Sequence, residues 1–158
     1  MSVRNAIANC KKPIGSGADR VAYYSPKYNL VFKRQHAYRI GKYGHINQCE
    51  REIAFFKKMS LSDKEVFPMV GFEYMNGQPV IIMKKCTPIE DINPNVFNVS
   101  DDQGMDEMIL EIGRIVNANQ YSIHHVIFFI NDYNLIDIHI GNLAVDEDNN
   151  LVIIDCGI

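Results

Sequence analysis

Beyond residue 85 this chain of 158 residues has a single basic side chain, Arg114, against 13 Asp and Glu. The first 85 residues reverse that balance, with 15 Lys and Arg against 6 Asp and Glu. The halves are electrically opposite, at +9 and −12, although the whole sums to only −3. The basic residues are scattered, with no arginine-rich tract, and the acidic half would repel phosphate, so a nucleic-acid surface is disfavoured. No apolar run approaches the ~18 residues of a membrane span. The four cysteines, Cys10, Cys49, Cys86 and Cys156, form no Cys-x-x-Cys pair. The N-terminus carries no secretory leader, so reduced thiols in a soluble, cytoplasmic protein are expected. His124 and His125 lack Cys or His partners at metal-ligand spacing and read as surface or helix-end residues. There is no internal repeat or low-complexity tract. With 47% hydrophobic residues the chain has enough apolar material for a real core, as one unit or two small lobes.

What the chain does have is concentrated near its end. Asp137-Ile138-His139-Ile140-Gly141-Asn142 is followed by an acidic turn and then by Leu151-Val152-Ile153-Ile154-Asp155-Cys156-Gly157. A carboxylate, an amide five residues later, and a second carboxylate closing an apolar strand can supply a base and hard oxygen ligands for Mg²⁺ beside phosphates. Asp137 is the candidate base, able to hold the proton of an attacking hydroxyl. Asn142 and Asp155 are the candidate metal ligands. Leu143 to Ile154 reads as a hairpin around Asp146 to Asn150, which would return Asp155 to the neighbourhood of Asn142.

These motifs resemble the catalytic and metal-binding loops of the protein-kinase-like superfamily. The form Asp-x-His-x-Gly-Asn is closer to the aminoglycoside-phosphotransferase and atypical-kinase branch than to the His-Arg-Asp of ordinary protein kinases, where this chain has Leu135-Ile136-Asp137. Asp155-Cys156-Gly157 resembles Asp-Phe-Gly, with Cys156 in the middle position.

The first third supplies the partners that such a site needs. Gly15-Ser16-Gly17 lies in a loop whose sequel, Val21-Ala22-Tyr23-Tyr24, is β-prone and soon reaches Pro26, so strand-loop-strand is expected rather than a loop opening a helix. Gly15 and Gly17 would let backbone amides approach phosphate. Arg20 replaces the third glycine of the kinase loop and offers a cation to phosphate or to a carboxylate. Leu30-Val31-Phe32-Lys33 is similar to the kinase lysine strand, with Lys33 pointing away from the face that carries Phe32; the resemblance implies contact of Lys33 with the α and β phosphates. A helix is expected from about His45 to Met59, with Ile46, Ile53, Phe56 and Met59 forming a partial apolar stripe. On it Glu52 is the candidate partner of Lys33, and Glu50, two positions away, is the runner-up.

Met69 to Tyr74 and Pro79 to Lys85 flank Met75-Asn76-Gly77-Gln78, a hairpin signal. By resemblance Met83 screens the back of the adenine pocket, and Lys84 to Cys86 offer backbone groups to adenine. Thr87 to Asp102 is rich in Pro, Asn and Asp and reads as a surface loop connecting two lobes. Helices follow at about Met105 to Asn117 and Ile123 to Asn131.

The expected fold is α+β and protein-kinase-like: a five-stranded antiparallel N-lobe with one helix over residues 1–85, and a reduced helical C-lobe carrying the catalytic-loop hairpin over 86–158. The matching motifs run out at Ile158, before any activation segment or docking platform, which implies a C-lobe with an apolar side covered by self-association or a partner protein. The resemblance implies an ATP- and Mg²⁺-dependent phosphotransferase acting on a hydroxyl, of protein Ser/Thr or of the chain itself. A basic half to attract phosphate and an acidic half to hold metal suit that chemistry. The alternative is a catalytically weak or inactive kinase-like module, a pseudokinase, that binds a partner protein.

Overall fold

Asn76 and Gly77, both at positive φ (52° and 75°), make the tight turn that sets the register of the first sheet. Paired left-handed residues twist a two-residue connection in the sense that antiparallel strands require, and Asn-Gly adopts them at least cost. The computed structural model describes residues 1–10, 12–16, 20–36 and 47–156. The chain divides into two units, Met1–Met59 with Met69–Lys85, and Ser60–Pro68 with Cys86–Ile158. Residues 60–68 thus fold with the second unit although they precede two strands of the first.

The first unit is built on an antiparallel sheet of order β1-β2-β3-β5-β4, with β1 at Gly15–Ser16, β2 at Arg20–Ser25, β3 at Leu30–Gln35, β4 at Met69–Met75 and β5 at Gln78–Lys84. β1 is only two residues long; the other four strands carry the sheet. Lys33 lies opposite Ala22 on one side and Ile81 on the other. Phe32 and Lys33 therefore project to opposite faces. One face is covered by α1 (Val3–Ala8), whose Val3, Ala6 and Ile7 at i, i+3, i+4 spacing pack on Phe32, Val80 and Ile82. Against β3 and β5 also packs α2 (Gln48–Lys58), which buries Cys49, Glu52 and Ile53. Asn47 starts α2 by accepting the amides of Cys49 and Glu50 on its side chain, a cap worth about 1 kcal/mol. The expected helix matches α2 at its C-terminal end; His45 and Ile46 lie outside the described residues. The expectation of one helix over residues 1–85 is corrected: α1 and α2 lie in the first unit, and a third short helix within that range, at Asp63–Val66, folds with the second. A short run such as α1 carries little periodic signal, and it is fixed by the sheet it covers.

The second unit pairs α5 (Met105–Ile115) with α6 (Gln120–Asp132) and sets α6 against a three-stranded sheet of order β6-β7-β8, at Thr87–Pro88, Leu143–Val145 and Leu151–Ile153. The two helices approach so closely that a Cβ at Gly113 would sit 2.5 Å from the Ile123 side chain. Each helix ends on an asparagine at positive φ, Asn117 (55°) and Asn134 (53°), because Asn tolerates the left-handed C-terminal position better than most residues. The expected surface loop over Thr87 to Asp102 is corrected: it holds β6, α4 (Ile89–Ile92) and a 3-10 turn over Pro94–Asn98. Ile89 and Val96 are fully buried anchors there, and Asn93 caps the turn through the Asn95 amide. Two apolar contacts and a cap ordered a stretch whose composition alone signals loop. A further single-turn helix, α3 (Asp63–Val66), packs on α6 and β8. Among the described residues no helix is long and apolar enough to cross a membrane.

Candidate functional site

The candidate residues form two clusters, one in each unit. In the first, Glu52 is completely buried (0% exposed). A carboxylate without water must be met by donors or it costs several kcal/mol. Arg20 meets it with both arms of its guanidinium, Nη1 to Oε2 and Nη2 to Oε1, each at 2.8 Å. Lys33 Nζ lies 3.5 Å from the same Oε2. Sequence reasoning pairs Glu52 with Lys33; the structure adds Arg20 as the shorter, bidentate partner. Parallel charge-assisted bonds of this kind are stronger and more directional than one ammonium contact. Of the two partners left open for Arg20, phosphate and a carboxylate, the structure shows the carboxylate contact. Glu50, the runner-up, is exposed and accepts a bond from Tyr74 Oη at 3.2 Å.

One turn before Glu52 on α2, the Cys49 thiol donates to the Lys33 carbonyl at 3.7 Å. Burial pushes this thiol above its ordinary range, against the opposing pull of Arg20. It therefore stays neutral and adds no charge to the cluster. Gly15 sits in β1 with open space where a side chain would be. Gly17 lies outside the described residues. Met83 is buried, Lys84 exposed and Cys86 partly buried.

In the second unit the motif at 137–142 is held by bonds from backbone amides to side chains. His139 precedes a 3-10 turn at Ile140–Asn142 and accepts the Gly141 amide on Nδ1 at 3.1 Å. Asn142 returns the bond, taking the His139 amide on Oδ1 at 2.7 Å. A Cβ on Gly141 would stand 3.0 Å from His139 Cε1, tighter than ordinary van der Waals contact, so the ring would have to shift by a few tenths of an ångström. The turn leaves Asp137 exposed and buries Asn142.

The strands then act as expected. Leu143 pairs with Ile153, and the Ile154 amide donates to the Asn142 carbonyl at 2.7 Å. Asp155 follows immediately, so the candidate ligands Asn142 and Asp155 lie on adjoining ends of one hairpin. Asp146 stabilises the turn between them by accepting the amides of Asp148 and Asn150. The donor set, one amide oxygen and one carboxylate, suits a hard cation such as Mg²⁺ that takes its remaining ligands from water and phosphate. No cluster of three or more His, Cys, Asp or Glu at metal-binding separation occurs among the described residues.

Sequence reasoning missed a contact in this unit that depends on long-range folding. Tyr133 donates to Asp63 at 2.6 Å, fastening α6 to the start of α3. Burial raises the Asp63 carboxyl, but bonds from Tyr133 and Ser60 outweigh it and the net shift is downward. The same bond pushes Tyr133 up to about 12. His125, read from sequence as a surface or helix-end residue, is partly buried, meets the Tyr121 ring at a tilt of 59° and lies 4.0 Å from Glu65.

No family model and no curated protein matches the chain. Its fold has solved counterparts. PpkA-294 in its apo form gives a TM-score of 0.57 at 14% identity, covering 94% of this chain and 57% of that one. Rad53 1-466 in complex with AMP-PNP gives 0.54 at 14% identity, covering 93% of this chain and 37% of that one. The chain thus spans less than two thirds of either. Both are kinases, and the likeness shows that this chain has a kinase-like α+β fold.

Proposed function

We propose that this chain is an ATP- and Mg²⁺-dependent phosphotransferase that moves the γ-phosphoryl group of ATP to a hydroxyl, of protein Ser/Thr or of the chain itself. The observation that carries this reading is the hairpin bond from the Ile154 amide to the Asn142 carbonyl at 2.7 Å, which brings the backbone next to Asp155 up to Asn142, the two metal-ligand candidates standing five and eighteen residues after an exposed carboxylate. Asp137 accepts the proton of the acceptor hydroxyl as its oxygen attacks the γ-phosphorus; the bond from that phosphorus to the bridging oxygen breaks and ADP leaves. Asn142 and Asp155 would hold Mg²⁺, which when bound neutralises charge on the phosphate oxygens. Lys33 contacts the α and β phosphates, with the Glu52 carboxylate 3.5 Å from its Nζ. Gly15, which neither crowding nor a positive φ requires to be glycine, allows the loop backbone to come close to phosphate. Gly17, Ser16, Met83, Lys84 and Cys86 complete the nucleotide contacts that the resemblance implies. A homo-oligomer or a protein partner against the second unit belongs to the same proposal.

A second reading, a non-catalytic kinase-like module that binds a partner protein, draws on one observation. Asn142 Oδ1 already accepts the His139 amide, which uses one of its two lone pairs. Incubation with radiolabelled ATP and Mg²⁺, alone and with cell extract, separates the two. Transfer of label that Asp137→Asn abolishes while ATP binding persists supports the enzyme. Label transfer equal in Asp137→Asn and the wild type, or none at all despite ATP binding, favours the module.

A further inference from the structure

We infer that Arg20 is a positioning residue: it, rather than Lys33, fastens Glu52 and therefore α2 to the strand that follows the glycine loop. The geometry separates the two cations. Arg20 reaches both carboxylate oxygens at 2.8 Å in a bidentate arrangement, whereas Lys33 approaches one of them at 3.5 Å. Arg20 also opens β2, the strand paired with β1 at Gly15 and Ser16. Its bonds to Glu52 therefore tie the loop-bearing strand pair directly to α2. A lysine alone in this place has to hold a carboxylate and serve phosphate at once. Here the first task falls to Arg20, and Lys33 is left to the second. Position 20, where glycine would give the loop its freedom, instead carries the anchor for a helix.

The division of labour rests on the phosphotransferase reading only for the task given to Lys33. The task given to Arg20 has a reporter that needs no nucleotide. Cys49 is buried on α2, one turn before Glu52, so alkylation of its thiol measures how often α2 leaves the sheet. Arg20→Gln, Arg20→Lys, Lys33→Gln and Lys33→Arg are compared in the full chain. Iodoacetamide is the reagent, Cys49 modification is read by peptide mass spectrometry, and ATP with Mg²⁺ is titrated in parallel.

Arg20→Gln is expected to raise the Cys49 rate by about tenfold or more, the scale set by loss of a buried ion pair. Arg20→Lys should fail to restore protection, since one ammonium cannot make two parallel bonds. Lys33→Gln should leave the Cys49 rate within about twofold while weakening ATP binding on the order of tenfold. If Arg20→Gln does not fold and Lys33→Gln does, the assignment stands. If neither Gln variant folds, Arg20→Lys against Lys33→Arg decides, and only the first should expose Cys49. Equal exposure of Cys49 in the Lys33 and Arg20 variants, or full rescue by Arg20→Lys, overturns the inference. Failure of ATP to bind any variant would instead sink the phosphotransferase reading and leave the Cys49 comparison intact.

Discussion

Glu52 and Asp137 are both carboxylates assigned to one reaction, and the chain treats them in opposite ways. Glu52 is fully buried, fixed by two cations, and part of what holds its unit together. Asp137 is exposed, and the turn beside it is held by others: by the His139 ring on Gly141 and by the Asn142 side chain on the His139 amide. The contrast shows how one fold divides its tasks. Where a charge must order a helix, it is buried and paired. Where, in the proposed reaction, a charge takes a proton from a substrate, neighbouring side chains hold the turn and the carboxylate is left accessible.

The largest effect that would test this contrast comes from truncating each carboxylate. Glu52→Ala strands Arg20 and Lys33 and should cost about 3–5 kcal/mol in urea unfolding. Asp137→Ala should stay within about 0.5 kcal/mol of the wild type. Equal losses would erase the distinction. Next in size is Gly141→Ala, whose Cβ would press on the exposed His139 ring at 3.0 Å and should destabilise by about 1 kcal/mol. His139→Ala removes the crowding, so a double-mutant cycle should recover part of that loss; strict additivity would show that the two residues do not fit together as described.

A smaller effect concerns pH. Because the Tyr133 pKa is raised to about 12, its stabilising contribution is present below the ordinary tyrosine range and is lost as pH climbs from about 10 towards 12. The lowered Asp63 contributes above the ordinary carboxylate range and is lost as pH falls below about 4. Tyr133→Phe should cost about 1 kcal/mol at neutral pH and flatten both limbs of the melting-temperature profile. An unchanged profile would show that α3 is held to α6 by packing alone.

Much of this molecule is legible in the sequence because its signals are local. Asn76-Gly77 announces its hairpin, the alternation of Phe32 and Lys33 gives their opposite faces, and Asp146 to Asn150 marks the turn that brings Asp155 back to Asn142. What was not legible is non-local or short. Arg20 and Glu52 are 32 residues apart and Tyr133 and Asp63 are 70 apart, so nothing in a window around either residue announces its partner. Arg20 does carry one signal, a cation where the loop would have glycine, and a fully apolar environment for Glu52 would have turned it into a prediction. The single turns at Ile89–Ile92 and Asp63–Val66 are too short for periodicity and exist because Ile89 and Val66 have a core to enter.

The measurement that tests the account most directly is the melting temperature of the full chain against ATP, with and without Mg²⁺, in the wild type, Lys33→Ala and Asp155→Ala. Saturation at a hundredfold over Kd contributes about 2.7 kcal/mol, which for a chain of this size is a rise of about 5–10 °C. The account predicts that rise in the wild type with Mg²⁺, a smaller one without it, and the loss of Mg²⁺ dependence in Asp155→Ala together with weakened binding in Lys33→Ala. No rise in the wild type, or a rise that both substitutions leave untouched, would contradict it.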